Sequence, residues 1–203
     1  ALGGEGLDVG ELVAEFSRDR ILHDSIVPSE CRKRGRLHRS CCFRQIVEVE
    51  ASGNKPRRFV FVLLDNFTML CFACAVESLR IANRQSGKRL YDWITVGEGG
   101  DLVSCSAGIT FKLDAGLEEL QRDDTIVVCG GVDVAAASTR PVLGWLRREA
   151  RKGAAVGGLY TAGWTLAKAG LLDGKRATIH WENHENSDQQ FHEVQHTQSV
   201  FVM

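Results

Sequence analysis

From residue 59 onward, apolar positions alternate between unbroken runs and helical spacing. Residues 59–64 (FVFVLL) are continuously apolar, a pattern a strand shows when both its faces are covered, as in a parallel sheet flanked by helices. Met69, Phe72, Ala73, Val76, Leu79 and Arg80 then keep helical spacing, and residues 83–87 close that helix at Gly87. Residues 92–96 predict a second strand, 108–113 an edge hairpin element, and 125–129 (TIVVC) a third buried strand running into Gly130 and Gly131. Residues 141–152 predict a helix with Pro141 in its first turn and basic residues near its end, which suits the helix dipole. A strand at 154–159, a helix at 161–169 closed by Gly170 and the start of a short strand at 177–179 complete the series. This is the order of an open, mostly parallel α/β sheet with helices on both faces.

The first 56 residues follow another pattern and read as a separate N-terminal extension. Leu7, Val9, Leu12, Val13 and Phe16 suggest a short amphipathic helix. Residues 31–44 then carry Arg32, Lys33, Arg34, Arg36, Arg39 and Arg44 with no acid, the composition of a solvated arm. The chain starts without Met and stops at Met203 just after an apolar run begins, so a fragment of a longer protein is expected.

Composition narrows the class further. With 44% hydrophobic residues, 25% charged residues and three prolines, the chain is expected to fold around a core. Its net charge of −1 argues against a nucleic-acid-binding module within these residues. No apolar run approaches the roughly 20 residues of a membrane-spanning helix, and no basic segment leads into an apolar one at the start, so a cytoplasmic location is expected. Seven cysteines at positions 31, 41, 42, 71, 74, 105 and 129 form no disulfide framework and read as reduced thiols. Cys71 and Cys74 form a CxxC inside a helical pattern without a second pair. His180 with His184 and His192 with His196 share i, i+4 spacing but lack the HExxH context, and no metal or cofactor is assigned.

Ligands in such sheets bind beyond the carboxyl ends of the strands. The candidates there are Asp65, Asn66 and Phe67 after the first strand, Gly130, Gly131 and Val132 after the third, and Tyr160 and Thr161 after the fourth. The passage from Gly157 to Gly163 has the strand-to-helix form of a nucleophile elbow, yet it presents Tyr160, whose phenol is a poor nucleophile at neutral pH. Gly130 and Gly131 either offer backbone amides to an anion or form a tight turn beneath a helix. Asp65 either faces a ligand or caps the helix that follows. Trp164 either stacks on a ligand cation or fills the core. Glu77 is a weaker pocket candidate on the first helix.

Three blocks carry a family resemblance: residues 158–174 (GLYTAGWTLAKAGLLDG) with 177–182 (ATIHWE), residues 67–83 (FTMLCFACAVESLRIAN), and Tyr91, Asp92 and Trp93. Over residues 57–203 the chain resembles the amidase-like effector domain of GlxA-type AraC-family transcription regulators. The resemblance implies a class I glutamine amidotransferase-like, or PfpI-like, domain: a flavodoxin-like three-layer α/β sandwich. In related enzymes the elbow holds a catalytic Cys paired with a later His, and Gly130 and Gly131 fall where the oxyanion site forms. Here Tyr160 takes the Cys position, and His180 stands twenty residues on. The order Thr161, Ala162, Gly163 departs from the family's Thr-Gly-Ala. The implied protein is a non-catalytic sensor, without cofactor, for an amino acid or betaine-like effector such as arginine, carnitine or glycine betaine. It would be homodimeric and would bind DNA through helix-turn-helix units beyond Met203. The alternatives are a PfpI-like cysteine hydrolase or amidase acting through Cys129 or another thiol recruited to the cleft, and a degenerate non-catalytic member of that fold.

Overall fold

The computed structural model describes residues 55–178 and 190–197. These fall into two compact units, one holding Cys74–Leu90 and the other Pro56–Ala73 with the chain from Tyr91 onward. His180 and the His184 pairing lie outside the described residues, as do the N-terminal amphipathic helix and the basic run.

The larger unit is built on a four-stranded parallel sheet. Its strands are β1 (Arg57–Leu63), β2 (Tyr91–Val96), β5 (Thr125–Cys129) and β6 (Ala155–Leu159), in the order β2-β1-β5-β6. Every pairing in it is parallel, with Phe59 opposite Trp93 and Thr125, and Val128 opposite Gly158. The apolar run of β1 is buried because successive side chains serve opposite faces. Val60, Val62 and Leu64 enter a core with Ile126, Val128, Val142, Trp145, Leu146, Trp164 and Leu166. Phe61 instead meets Phe72 edge-on at 5.4 Å, and Phe72 meets Phe67 at 5.9 Å.

Helix α1 (Met69–Ser86) follows β1, and its later turns make up the smaller unit. There Glu77 is exposed and paired with Arg80 three residues on, whose guanidinium holds its carboxyl below the usual range; it is a surface ion pair, not a pocket group. The chain leaves α1 through Gly87 at φ 63°, and Asn83 Oδ1 accepts the Leu90 amide at 2.8 Å.

Two short strands, β3 (Leu102–Ser104) and β4 (Thr110–Lys112), form an antiparallel ribbon. The hairpin expected at 108–113 therefore exists, but as a separate ribbon and not at an edge of the main sheet. Helices α2 (Val134–Ala137), α3 (Arg140–Arg151) and α4 (Ala162–Lys168) follow in order. Thr139 caps α3, accepting the Val142 amide, and Pro141 sits in its first turn as expected. Buried Val142, Leu143, Trp145, Leu146 and Glu149 mark its inner face. The last strands, β7 (Arg176–Ala177) and β8 (Gln195–His196), pair in parallel. Among the described residues no helix is long and apolar enough to cross a membrane.

Candidate functional site

Among the described residues, three other than glycine adopt the left-handed backbone region: Asn66 (φ 57°), Asp133 (φ 53°) and Tyr160 (φ 57°). They follow β1, β5 and β6, so all three lie at the carboxyl edge of the sheet, where open α/β folds bind ligands. Asn and Asp tolerate that region, whereas an aromatic side chain enters it only under constraint. The constraint on Tyr160 is the elbow. The Thr161 hydroxyl, fully buried, donates to the Gly131 carbonyl at 2.8 Å, and Ala162 begins α4 without exposure. Positive φ falls on Tyr160 itself, so the Ala162 and Gly163 order, unusual for the family, is absorbed inside a regular helix.

Gly130 and Gly131 are where backbones touch. A Cβ on Gly130 would lie 2.5 Å from the Ala162 nitrogen, and one on Gly131 would overlap the Asn66 carbonyl oxygen and come within 2.6 Å of Phe67 Cα. The Gly130 amide donates to Leu159, and the Val132 amide to Asn66. The Gly130 and Val132 amides are thus committed to protein carbonyls, and the close backbone approaches at both glycines make them a tight passage between the elbow and the β1 turn.

Phe67 is fully buried, edge-on to Phe72 and Phe111, and is thus a core residue and not a cleft wall. Its apolar ring turns under the ribbon while its backbone bridges to Cys105 and Gly131. Trp164 is likewise core, buried and edge-on to Phe191 at 5.0 Å. Val132 and Tyr160 are exposed at the edge.

An open cleft of about 460 Å³ lies beside β1. Of the expected residues it takes Asp65 and Asn66, and adds Glu98, Ser104, Asp133 and Thr139 over apolar walls that include Val62, Leu64 and Val142. Gly130, Gly131, Tyr160, Thr161 and Trp164 do not line it, so the cleft is displaced from the elbow toward β2. Three carboxylates face the space. The Thr139 hydroxyl donates to Glu98 Oε2, which ties the loop after β2 to the start of α3. Asp133 stands at the N-cap of α2, yet its side chain makes no cap bond. Glu98 follows a glycine in a polar loop, and nothing in its sequence neighbourhood marks it. Thr139 stands two residues before Pro141, at the start of a predicted helix and outside the strand ends where ligands are expected.

Cys129 offers no nucleophile. It is fully buried at the end of β5, and burial, with a smaller effect of Cys71, pushes its thiol far above the usual range. Among the described residues no group of histidine, cysteine and acidic side chains can hold a metal ion.

Comparison with known proteins places this geometry in context. Residues 58–200 match the DJ-1/PfpI family. The chain is 42% identical over 134 residues to the HTH-type transcriptional regulator GbdR of Pseudomonas aeruginosa, covering 66% of this chain and 36% of that protein. It is 35% identical over 134 residues to the HTH-type transcriptional regulator GlxA of Rhizobium meliloti, covering 66% and 41%. The chain thus spans less than half the length of these regulators. The solved structure of an AraC family transcriptional regulator from Pseudomonas putida superposes with a TM-score of 0.63 at 28% identity, over 73% of this chain and 80% of that one. Drosophila melanogaster DJ-1beta shares the fold with a TM-score of 0.58 at 20% identity, over 73% and 77%. With most of its length matched, a parallel sheet in this order and a nucleophile elbow at Tyr160, the chain belongs to the DJ-1/PfpI family, in the company of GlxA-like, AraC-type regulators.

Proposed function

We propose that this chain is the ligand-sensing part of a cytoplasmic, dimeric AraC-type transcription regulator, that its effector is a small nitrogen-containing cation or zwitterion, and that it has no catalysis of its own. The cleft carries the proposal. Asp65, Glu98 and Asp133 supply negative charge, while Val62, Leu64, Ala136, Ala137 and Val142 supply an apolar wall. That combination suits a ligand with a positive nitrogen and a short carbon body. Asp133 makes no cap bond, which leaves its carboxylate for a ligand. Tyr160 at the nucleophile position and the inaccessible Cys129 argue against acyl transfer.

The effector would favour one arrangement of the dimer over another and so shift how helix-turn-helix modules outside these 203 residues meet their half-sites. Calorimetric titration of the chain with amines, amino acids and betaines is expected to find a binder. Asp133→Asn is expected to weaken it by about tenfold, as loss of one partly exposed charge contact would. No heat with any of these compounds, or full affinity in the Asp133 variant, would overturn the assignment.

A further inference from the structure

The outer face of α3 carries charge that neither the core nor the cleft uses. Arg140, Gly144, Arg147 and Arg151 fall at i, i+4, i+7 and i+11, one line along the helix, and all four are exposed. The Arg147 guanidinium donates to the carbonyls of Ala169 and Lys168, both at 2.9 Å, and that of Arg151 to the Arg147 carbonyl at 3.1 Å. Carbonyls satisfy hydrogen bonds but leave the positive charge uncompensated. Arg140 has no ion pair among the described residues. The one carboxylate of the helix, Glu149, is turned inward to Arg148 and Lys152. The result is three unneutralised guanidinium groups along about 16 Å of helix, long enough to meet several successive phosphates of one DNA strand.

Gly144 stands in the middle of this line. A Cβ added to it would meet nothing within 4 Å, and its backbone is not left-handed. Neither internal packing nor chain geometry asks for glycine, although glycine weakens an exposed helix interior. A small residue flanked by arginines leaves room for a polyanion to approach the helix backbone. None of the exposed large apolar residues among the described ones belongs to α3 itself, so the stripe lacks on its own helix the apolar anchor that the centre of a protein interface needs.

We propose that this face of α3 rests on the sugar-phosphate backbone of DNA, with Arg140, Arg147 and Arg151 on phosphates and Gly144 at the point of closest approach. The proposal rests on the regulator assignment above for its partner, though not on the cleft or its ligand. The contact positions the domain on the duplex without reading sequence; with a net charge of −1 the chain is no DNA-binding module of its own, and the stripe is a weak local contact that shows at low salt.

The test is an NMR titration of the 15N-labelled 203-residue chain with a duplex of about 16 base pairs of arbitrary sequence at about 20 mM salt. The Gly144, Arg147 and Arg151 amides are expected to shift, and affinity is expected to fall about tenfold by about 50 mM salt, the dependence for three phosphates. Gly144→Glu, which meets no internal neighbour, is expected to lose binding at least tenfold with its unfolding midpoint kept or raised. Arg140→Gln combined with Arg151→Gln is expected to remove about two units from the salt slope. Undiminished binding by Gly144→Glu, shifts confined to other elements, or binding of an acidic peptide in place of the duplex would overturn the proposal. Effector binding in the cleft with an unmoved Gly144 would overturn the DNA contact alone. A shifting Gly144 in a chain that binds no effector would support it and count only against the sensing assignment.

Discussion

Replacing Gly131 by alanine tests whether the β1 turn and the β5 loop touch backbone to backbone. The added Cβ would overlap the Asn66 carbonyl oxygen and lie 2.6 Å from Phe67 Cα and 2.7 Å from its carbonyl carbon. None of these atoms belongs to a side chain that can swing away, so the two segments must separate by an appreciable fraction of an ångström. They are held by the Val132 amide on Asn66 at 3.1 Å and the Thr68 amide on Gly130 at 2.9 Å, above the buried ring of Phe67. Losing two such bonds costs about 1 kcal/mol each, and forcing a methyl into a closed contact about 1–3 kcal/mol more. The expected loss is about 3–5 kcal/mol, a large part of a domain's total stability of about 5–15 kcal/mol. Urea unfolding at pH 7 measures it directly, and in a thermal melt it corresponds to a fall of about 6–20 °C. The control is Gly144→Ala, the same chemical change where the new methyl meets nothing, which is expected to gain about 1 kcal/mol. A Gly131→Ala protein within about 1 kcal/mol of wild type would refute the contact and reopen Gly130 and Gly131 as an anion site.

Two further outcomes follow from strain and charge. Tyr160→Ile is expected to lose about 2 kcal/mol, because a β-branched residue resists the left-handed region more than tyrosine does, while Tyr160→Gly should stay within about 1 kcal/mol. Equal losses in thermal melts would show that packing and not backbone strain governs the position. For Glu149, burial raises the carboxyl pKa, but bonds from Arg148, the Leu120 amide and Lys152 outweigh it and hold the group below the usual range. A depressed folded pKa stabilises above the unfolded value near pH 4.3, and that contribution fades as pH falls through the folded value. Glu149→Gln is therefore expected to cost about 1–2 kcal/mol at pH 7, with the gap narrowing below about pH 4 in urea titrations; a gap that widened with acid would contradict the assigned direction.

The sheet was legible because its central strands are unbroken apolar runs, and the parallel order followed from their alternation with helical spacing. What escaped was short. β3 is three residues and α2 is four, too few for a period to show, whereas β4 falls within the expected 108–113 element. The rule that ligands lie past strand ends gives two of the cleft's six polar residues, Asp65 and Asn66. The rule misplaced Phe67, because the left-handed Asn66 turns the chain and the ring is drawn into the aromatic cluster beneath. Glu98, Asp133 and Thr139 come from three separate loops, and no local pattern links residues that only folding brings together.

The elbow bears on where sensing happens. A strained tyrosine at the position of a nucleophile could be taken as an active site in disguise, but the contacts around it have a structural explanation. Thr161 is tied to the Gly131 carbonyl, Gly130 passes against Ala162, and Gly131 passes against Asn66. These contacts belong to Thr161, Gly130 and Gly131, so the backbone strain at position 160 has a structural cause and is no argument for catalysis. The same contacts fasten the elbow to Asn66 and hence to the wall of the cleft on the far side of β1. A ligand held by Asp65 and Asp133 would press on the turn that also fixes α4, and Glu98 with Thr139 would carry the same event to α3. In the proposed sensor the elbow would act as a fixed block through which occupancy of the neighbouring cleft is passed to the placement of two helices.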